Sequence, residues 1–123
     1  MAKQLNYNHP NGTNYPESYW RITYLLVDMN KRYAQFVFNG FVNKQARLDG
    51  KEPIGVRYIE IRDSLFDFYF QEVTLKTKNP QEVGYEYCMN FKDVIVQETV
   101  DGPDGFPIIV ETLHSFFENA IDC

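Results

Sequence analysis

Residues 19–42 constrain this chain more than any other stretch, because apolar and polar residues alternate there in two runs around a polar break. In the first run Trp20, Ile22, Tyr24 and Leu26 fall on one side while Arg21 and Thr23 fall on the other, the period-two pattern of a half-buried strand. In the second run Ala34, Phe36, Phe38 and Val42 share a face against Tyr33, Gln35 and Asn39. Asp28, Met29, Asn30, Lys31 and Arg32, between the runs, have the length and polarity that turn a hairpin. The spacing predicts one long β-hairpin with a wet face and a dry aromatic face. The rest of the chain then has the task of covering the dry face.

A chain of 123 residues holds one domain with a real core. Its nine Tyr and ten Phe are a surplus for that size, so part of them is expected at contacts outside the domain's own core. The net charge of −5, with Arg47, Lys51, Arg57 and Arg62 spread singly, argues against a nucleic-acid surface, which needs clustered cations to displace phosphate counterions. Residues 1–6 lack the apolar core of a signal peptide, and no run approaches the roughly 18 apolar residues of a membrane helix. The expectation is a protein made in the cytoplasm, with no membrane partner. Cys88 and Cys123 make no disulfide framework and are read as free thiols.

Residues 1–17 read as an extended N-terminal arm, because His9-Pro10-Asn11-Gly12 and Tyr15-Pro16 are turn punctuation and Leu5, Tyr7 and Tyr15 are isolated. The single α+β domain is then 18–123. Residues 43–52 read as a polar loop, and 53–62 as a third strand with Ile54, Val56 and Tyr58 on one face. The apolar Ile59 and Ile61 break that alternation, which predicts a bulge near Tyr58 and Ile59, or a strand end buried on both faces. Asp63 and Ser64 offer cap oxygens, Ser64 with Asp67 has capping-box spacing, and Leu65, Phe68, Tyr69 and Val73 follow at helical spacing with Phe66 and Phe70 on an adjacent stripe. Asn79-Pro80-Gln81-Glu82 opens a second helix to about residue 90: a cap, Pro at the first helical position and an acid three residues on. Gly84 inside it implies close approach of helix and sheet. Residues 93–100 return to β character and supply a fourth, edge strand, and Asp101-Gly102-Pro103-Asp104-Gly105 forces a turn. Ile109, Leu113, Phe116, Phe117, Ala120 and Ile121 recur at three and four residues and predict an amphipathic C-terminal helix, opened by Pro107 or by Thr112 after an extended 106–110. Its apolar face needs a partner, either its own sheet or another subunit.

The search for chemistry finds scaffolding. His9 and His114 belong to no ligand-spaced motif, so no metal site is assigned. A Cys88–His114 nucleophilic pair is a poor fit, because Cys88 lies on the core side of a helix, where free Cys packs as a small hydrophobe. N-capping explains Asp63 and Asp67 more simply than paired acid–base carboxylates do. Gly12, Gly40, Gly50 and Gly55 form no phosphate loop. No catalytic constellation and no cofactor site emerge.

Tyr19-Trp20-Arg21-Ile22, Asp28, the run from Phe38 through Gly40 to Lys44, Ala46-Arg47, Gly50, Pro53-Ile54 and Arg57-Tyr58-Ile59 together resemble small structural proteins encoded among the tail and neck genes of tailed bacteriophages. The similarity continues through Phe66-Asp67-Phe68-Tyr69-Phe70 and Asn79-Pro80, with Gly84-Tyr85-Glu86-Tyr87, and covers residues 19–91; the segment from Asp93 onward departs from it. The resemblance implies a non-enzymatic virion subunit, made in the host cytoplasm, that works in a homo-oligomer with neighbouring virion proteins. The expected fold is an antiparallel meander of three to four strands covered by short helices. The expected interface residues are Tyr7, Tyr15, Phe66, Phe70, Phe116 and Phe117. The rival reading is a small ligand-binding or enzyme-accessory domain whose aromatic surplus lines a pocket.

Overall fold

The computed structural model describes residues 2–70 and 78–123. Strands β1 (Lys3–Asn8), β2 (Asn14–Asp28), β3 (Tyr33–Phe41), β4 (Gly55–Arg62) and β7 (Ile121–Asp122) form one sheet in the order β4-β3-β2-β1-β7, with every neighbouring pair antiparallel. Strands β5 (Lys92–Asp101) and β6 (Pro107–Ser115) make a separate two-stranded ribbon. Helices α1 (Lys44–Leu48), α2 (Asp63–Tyr69) and α3 (Pro80–Tyr87) complete the described elements. The fold is α+β, and the expected three-strand meander is its centre.

The central hairpin forms as its alternation predicts. Trp20, Ile22, Ala34, Phe36 and Phe38 are all buried on one face, here called inner, and burying each large side chain stabilises by about 1.5–3 kcal/mol. Asp28 Oδ1 accepts from the backbone N–H groups of Asn30 and Lys31, closing the turn. One detail differs. The register shifts between Ile22 and Tyr24, and this bulge turns the second half of β2 over: Leu25 and Val27 pack on the core while Tyr24 and Leu26 face out, 53% and 39% exposed. At the end of β3 it is Phe41, not Val42, that is buried.

Strand β4 needs no bulge. It pairs with β3 without interruption from Gly55 opposite Gly40 to Arg62 opposite Tyr33, with Ile59 and Ile61 buried and Val56 and Tyr58 outward. The strand simply has apolar residues on both faces, so alternation of hydrophobicity alone assigned the wrong side to the core.

Two helical expectations divide the same way. Asn79 caps α3 through Glu82 N–H at 2.9 Å, and a Cβ on Gly84 would stand 2.5 Å from Phe36 Cδ1 and 2.8 Å from Ile22 Cδ1, so the helix lies directly on the sheet as its glycine implies. In α2 the expected capping box is absent: Arg62 occupies the cap without a side-chain bond, Asp63 sits at φ 54°, and Asp67 pairs with Arg32 of the hairpin turn. Val73 lies outside the described residues. The loop expected at 43–52 contains α1, capped by Asn43 Oδ1 on Ala46 N–H at 2.8 Å.

Both chain ends are corrected by the structure. Residues 3–8 and 14–17 are extended, but they form no free arm: β1 pairs with β2 from Lys3 opposite Trp20 to Asn8 opposite Asn14. Ser18 shows why they adhere. Its hydroxyl donates to Leu5 O at 2.6 Å and accepts from Trp20 Nε1 at 2.9 Å, joining the segment to the core through a satisfied buried polar group. The C-terminal amphipathic helix is absent. Residues 107–115 are strand β6, followed by a turn and β7, which pairs with β1. The run Ile108-Ile109-Val110 is β-branched and favours a pleated strand, and opposite β5 that preference overrides the three-and-four spacing.

Candidate functional site

The six expected interface residues fall into two groups. Phe66, Phe70 and Phe117 are core: Phe66 and Phe70 stack at 4.8 Å, Phe70 lies 6.4 Å from Phe36, and Phe117 meets Phe38 at 4.8 Å with no exposure. They are corrected from surface to interior. Tyr7, Tyr15 and Phe116 are partly buried. Tyr7 stacks on Tyr15 at 6.4 Å and meets Trp20 and Phe116 edge-on at 5.3 and 5.6 Å, so these rings extend the core toward its rim.

Cys88, His9 and His114 are engaged in structure, while Cys123 is an exposed free thiol. Cys88 is fully buried, its thiol donates to Tyr85 O at 3.1 Å, and burial pushes its pKa up to about 12, which keeps it protonated and unreactive at neutral pH. His114 contacts Thr112 Oγ1 at 2.9 Å and both Glu118 carboxylate oxygens at 3.0 Å, while His9 Nδ1 accepts from Asn11 N–H at 3.1 Å. No cluster of three His, Cys, Asp or Glu side chains placed to hold a metal ion occurs among the described residues, and none of their helices is long and apolar enough to cross a membrane.

Concavities are modest and open. One of 430 Å³ lies along β2 and is lined by Arg21, Ile22, Thr23, Tyr24, Leu25, Phe41, Arg47 and Gln81. Another of 310 Å³ gathers Lys31, Arg32, Tyr33, Arg62 and Asp63. Aromatic lining is limited to Tyr24 and Phe41 in the first and Tyr33 in the second, and most of the large aromatic side chains sit in or against the core.

The feature that stands out is the β5–β6 ribbon. Its base is fixed: Arg57 Nη2 donates to both oxygens of Asp93 at 2.9 and 3.0 Å, the Arg57 guanidinium lies 4.4 Å from the Phe116 ring centroid, and Ser115 Oγ donates to Cys88 O at 2.7 Å. Beyond that base no residue from 92 to 114 is buried. Yet the ribbon carries Ile95, Val100, Phe106, Ile108, Ile109 and Leu113 exposed, with Phe106 and Ile109 each at 70%. A two-stranded ribbon is marginal in water without a covering layer, and apolar side chains displayed on both of its faces are the ordinary mark of a contact surface.

A second apolar surface lies on the outer face of the main sheet. Tyr24, Val37 and Tyr58 are consecutive cross-strand partners and form one row over β2, β3 and β4. Tyr58 is 60% exposed, and Leu26 and Val56 widen the row at opposite corners. Sequence reasoning missed both surfaces. For the ribbon the signal was present: β-branched runs at 94–96 and 108–110 flank Asp-Gly-Pro-Asp-Gly, which is hairpin grammar. For the outer row the signal was hidden by the β2 bulge.

Comparison with known proteins finds no matching family model, no matching curated protein and no matching solved structure.

Proposed function

We infer that this chain is an assembly subunit that acts through protein–protein contacts, with the β5–β6 ribbon as its docking element. The observation that carries the reading is the ribbon itself: nine register pairs of strand, no buried residue beyond the base, and six large apolar side chains held out in solvent. Burial of such a surface is favourable in proportion to the apolar area removed from water, and no other described residue of the chain supplies that burial. The similarity of residues 19–91 to tail and neck structural proteins of tailed bacteriophages supports a place in the virion, beside neighbouring virion proteins.

Incorporation into particles tests this. In purified particles of a phage that encodes it, the chain is expected at a fixed copy number. A variant with Ile95→Asp and Leu113→Asp is expected to keep its circular dichroism and melting temperature while its incorporation falls at least tenfold. Undiminished incorporation of that variant removes the ribbon from the assembly role. Absence of the native chain from particles removes the virion reading.

A further inference from the structure

We propose that the ribbon's occupant is a second copy of this chain, which receives the ribbon on the Tyr24–Val37–Tyr58 row of its outer sheet face. This deepens the assembly reading and rests on it.

Charge selects the receiving surface. Residues 92–115 hold Asp93, Glu98, Asp101, Asp104 and Glu111 against the single base Lys92, so the ribbon carries −4 of the chain's −5. Among the described residues, Glu98, Asp101, Asp104 and Glu111 pair with no Lys or Arg. Stacking two ribbons on each other sets like charge against like, which is costly where water is excluded. On the outer face Glu60, next to Tyr58, is already taken up by Arg62, and, among the described residues, unpaired cations stand on the other side of the row. Arg21 stands in the row next to Tyr24, Arg47 of α1 shares the concavity along β2 with it, and neither is ion-paired among the described residues.

Shape agrees with charge. Ile95 opposite Leu113, Gln97 opposite Glu111 and Thr99 opposite Ile109 share one ribbon face by register. Laid on the receiving sheet, that face brings Ile95, Leu113 and Ile109 toward the aromatic row and the acidic Glu111 to the side of the sheet that carries Arg21, with the two layers at the usual separation of about 10 Å. The chain does not satisfy its own row. The ribbon's base is fixed by Arg57, Phe116 and Cys88 to the layer on the inner face, whereas the row lies on the other side of the sheet. A contact between two different surfaces of identical chains is heterologous, so it propagates head to tail and closes into a ring or runs on as a filament.

Two surface variants of the full chain test this by light scattering coupled to size-exclusion chromatography. Ile109→Asp with Leu113→Asp spoils the ribbon, and Tyr24→Asp with Tyr58→Asp spoils the row. All four residues are more than half exposed, so both variants are expected to fold. The native chain is expected to form species larger than a dimer, and each variant alone a monomer. An equimolar mixture is expected to give a two-chain species and nothing larger, because it holds one intact ribbon for one intact row. A mixture that stays monomeric, a variant that self-associates alone, or a native chain that is monomeric at every concentration overturns the proposal. If the native chain is monomeric but the ribbon variant still fails to enter particles, the assembly reading survives and the occupant is another protein.

Discussion

The β2–β3 hairpin and the β5–β6 ribbon are built alike and live differently. Each has nine register pairs, one bulge and a polar turn. The first buries Trp20, Ile22, Ala34, Phe36 and Phe38 under α2, α3 and the turn that carries Phe116 and Phe117; the second buries nothing between its base and its tip. Pairing is therefore a local property and burial is not. A strand pair acquires its hydrophobic stabilisation from the layer that covers it. In the first ribbon that layer comes from the same chain, and in the second, on the reading above, from a neighbour.

The widest gap between the two ribbons is expected in their response to truncation. Trp20→Ala or Phe36→Ala leaves a cavity among fully buried neighbours and should lower stability by about 3–5 kcal/mol, a large share of what a small domain has. Phe117→Ala belongs to the same class, because its ring sits between Trp20 and Phe38. Denaturant unfolding measures all three. A loss under about 1 kcal/mol for both hairpin variants would mean that the face assignment of β2 and β3 is inverted.

Gly84 sharpens the same point from the covering layer. A methyl group there meets the rings and branches of Phe36 and Ile22 rather than a flexible chain end, so Gly84→Ala is expected to cost about 1–3 kcal/mol by overpacking, although alanine is the better helix former. A stabilised Gly84→Ala protein would show that α3 stands farther from the sheet.

How much of this was legible follows from the same physics. The central hairpin, the Asn79 cap and the helix–sheet approach at Gly84 were readable because each is encoded within a few residues and points the same way as its surroundings. The bulge after Ile22 was not, since one extra residue reverses every later side chain without altering composition. Segment 1–17 looked like an arm because Ser18, which binds Leu5 O and Trp20 Nε1, acts through hydrogen bonds rather than apolar periodicity. Residues 107–115 carry two periods at once, and only pairing with β5 decides between them. Of the six interface candidates, Phe66, Phe70 and Phe117 went to the core because large aromatics serve both roles; the ribbon's strand pairing is written in its β-branched runs, but that its apolar side chains stay uncovered is a tertiary fact.

A smaller effect is expected in the second ribbon. Ile109→Ser exchanges one exposed side chain and should change the unfolding free energy of the dilute monomer by no more than about 0.5 kcal/mol. Amides of β5 and β6 should also exchange through local opening faster than those of β2 and β3. A loss near that of Phe36→Ala would place Ile109 in an intramolecular core and end the contrast between the ribbons.

The smallest effect is at the turns. The first ribbon's turn is fastened to α2 by Arg32, whose Nε donates to Asp67 Oδ1 at 2.9 Å with a second bond from Nη2 to Oδ2; among the described residues the second ribbon's turn is closed within itself, by Gly102 N–H to Phe106 O at 2.8 Å and Gly105 N–H to Gly102 O at 3.0 Å. The hydrogen bond from Arg32 holds the Asp67 pKa below its ordinary value of 3.8, against a smaller opposing effect of burial. Because the folded value is depressed, the stabilisation is fully present above the ordinary carboxylate pKa and is lost as pH falls through the lowered one. Both side chains are about half exposed, so the contribution is screened and small. Arg32→Gln is therefore expected to lower the melting temperature slightly at about pH 7, by an amount that shrinks as the pH falls through the lowered Asp67 pKa. A difference that persists in acid would mean that Arg32, held at φ 53°, shapes the turn through its backbone and not through the ion pair.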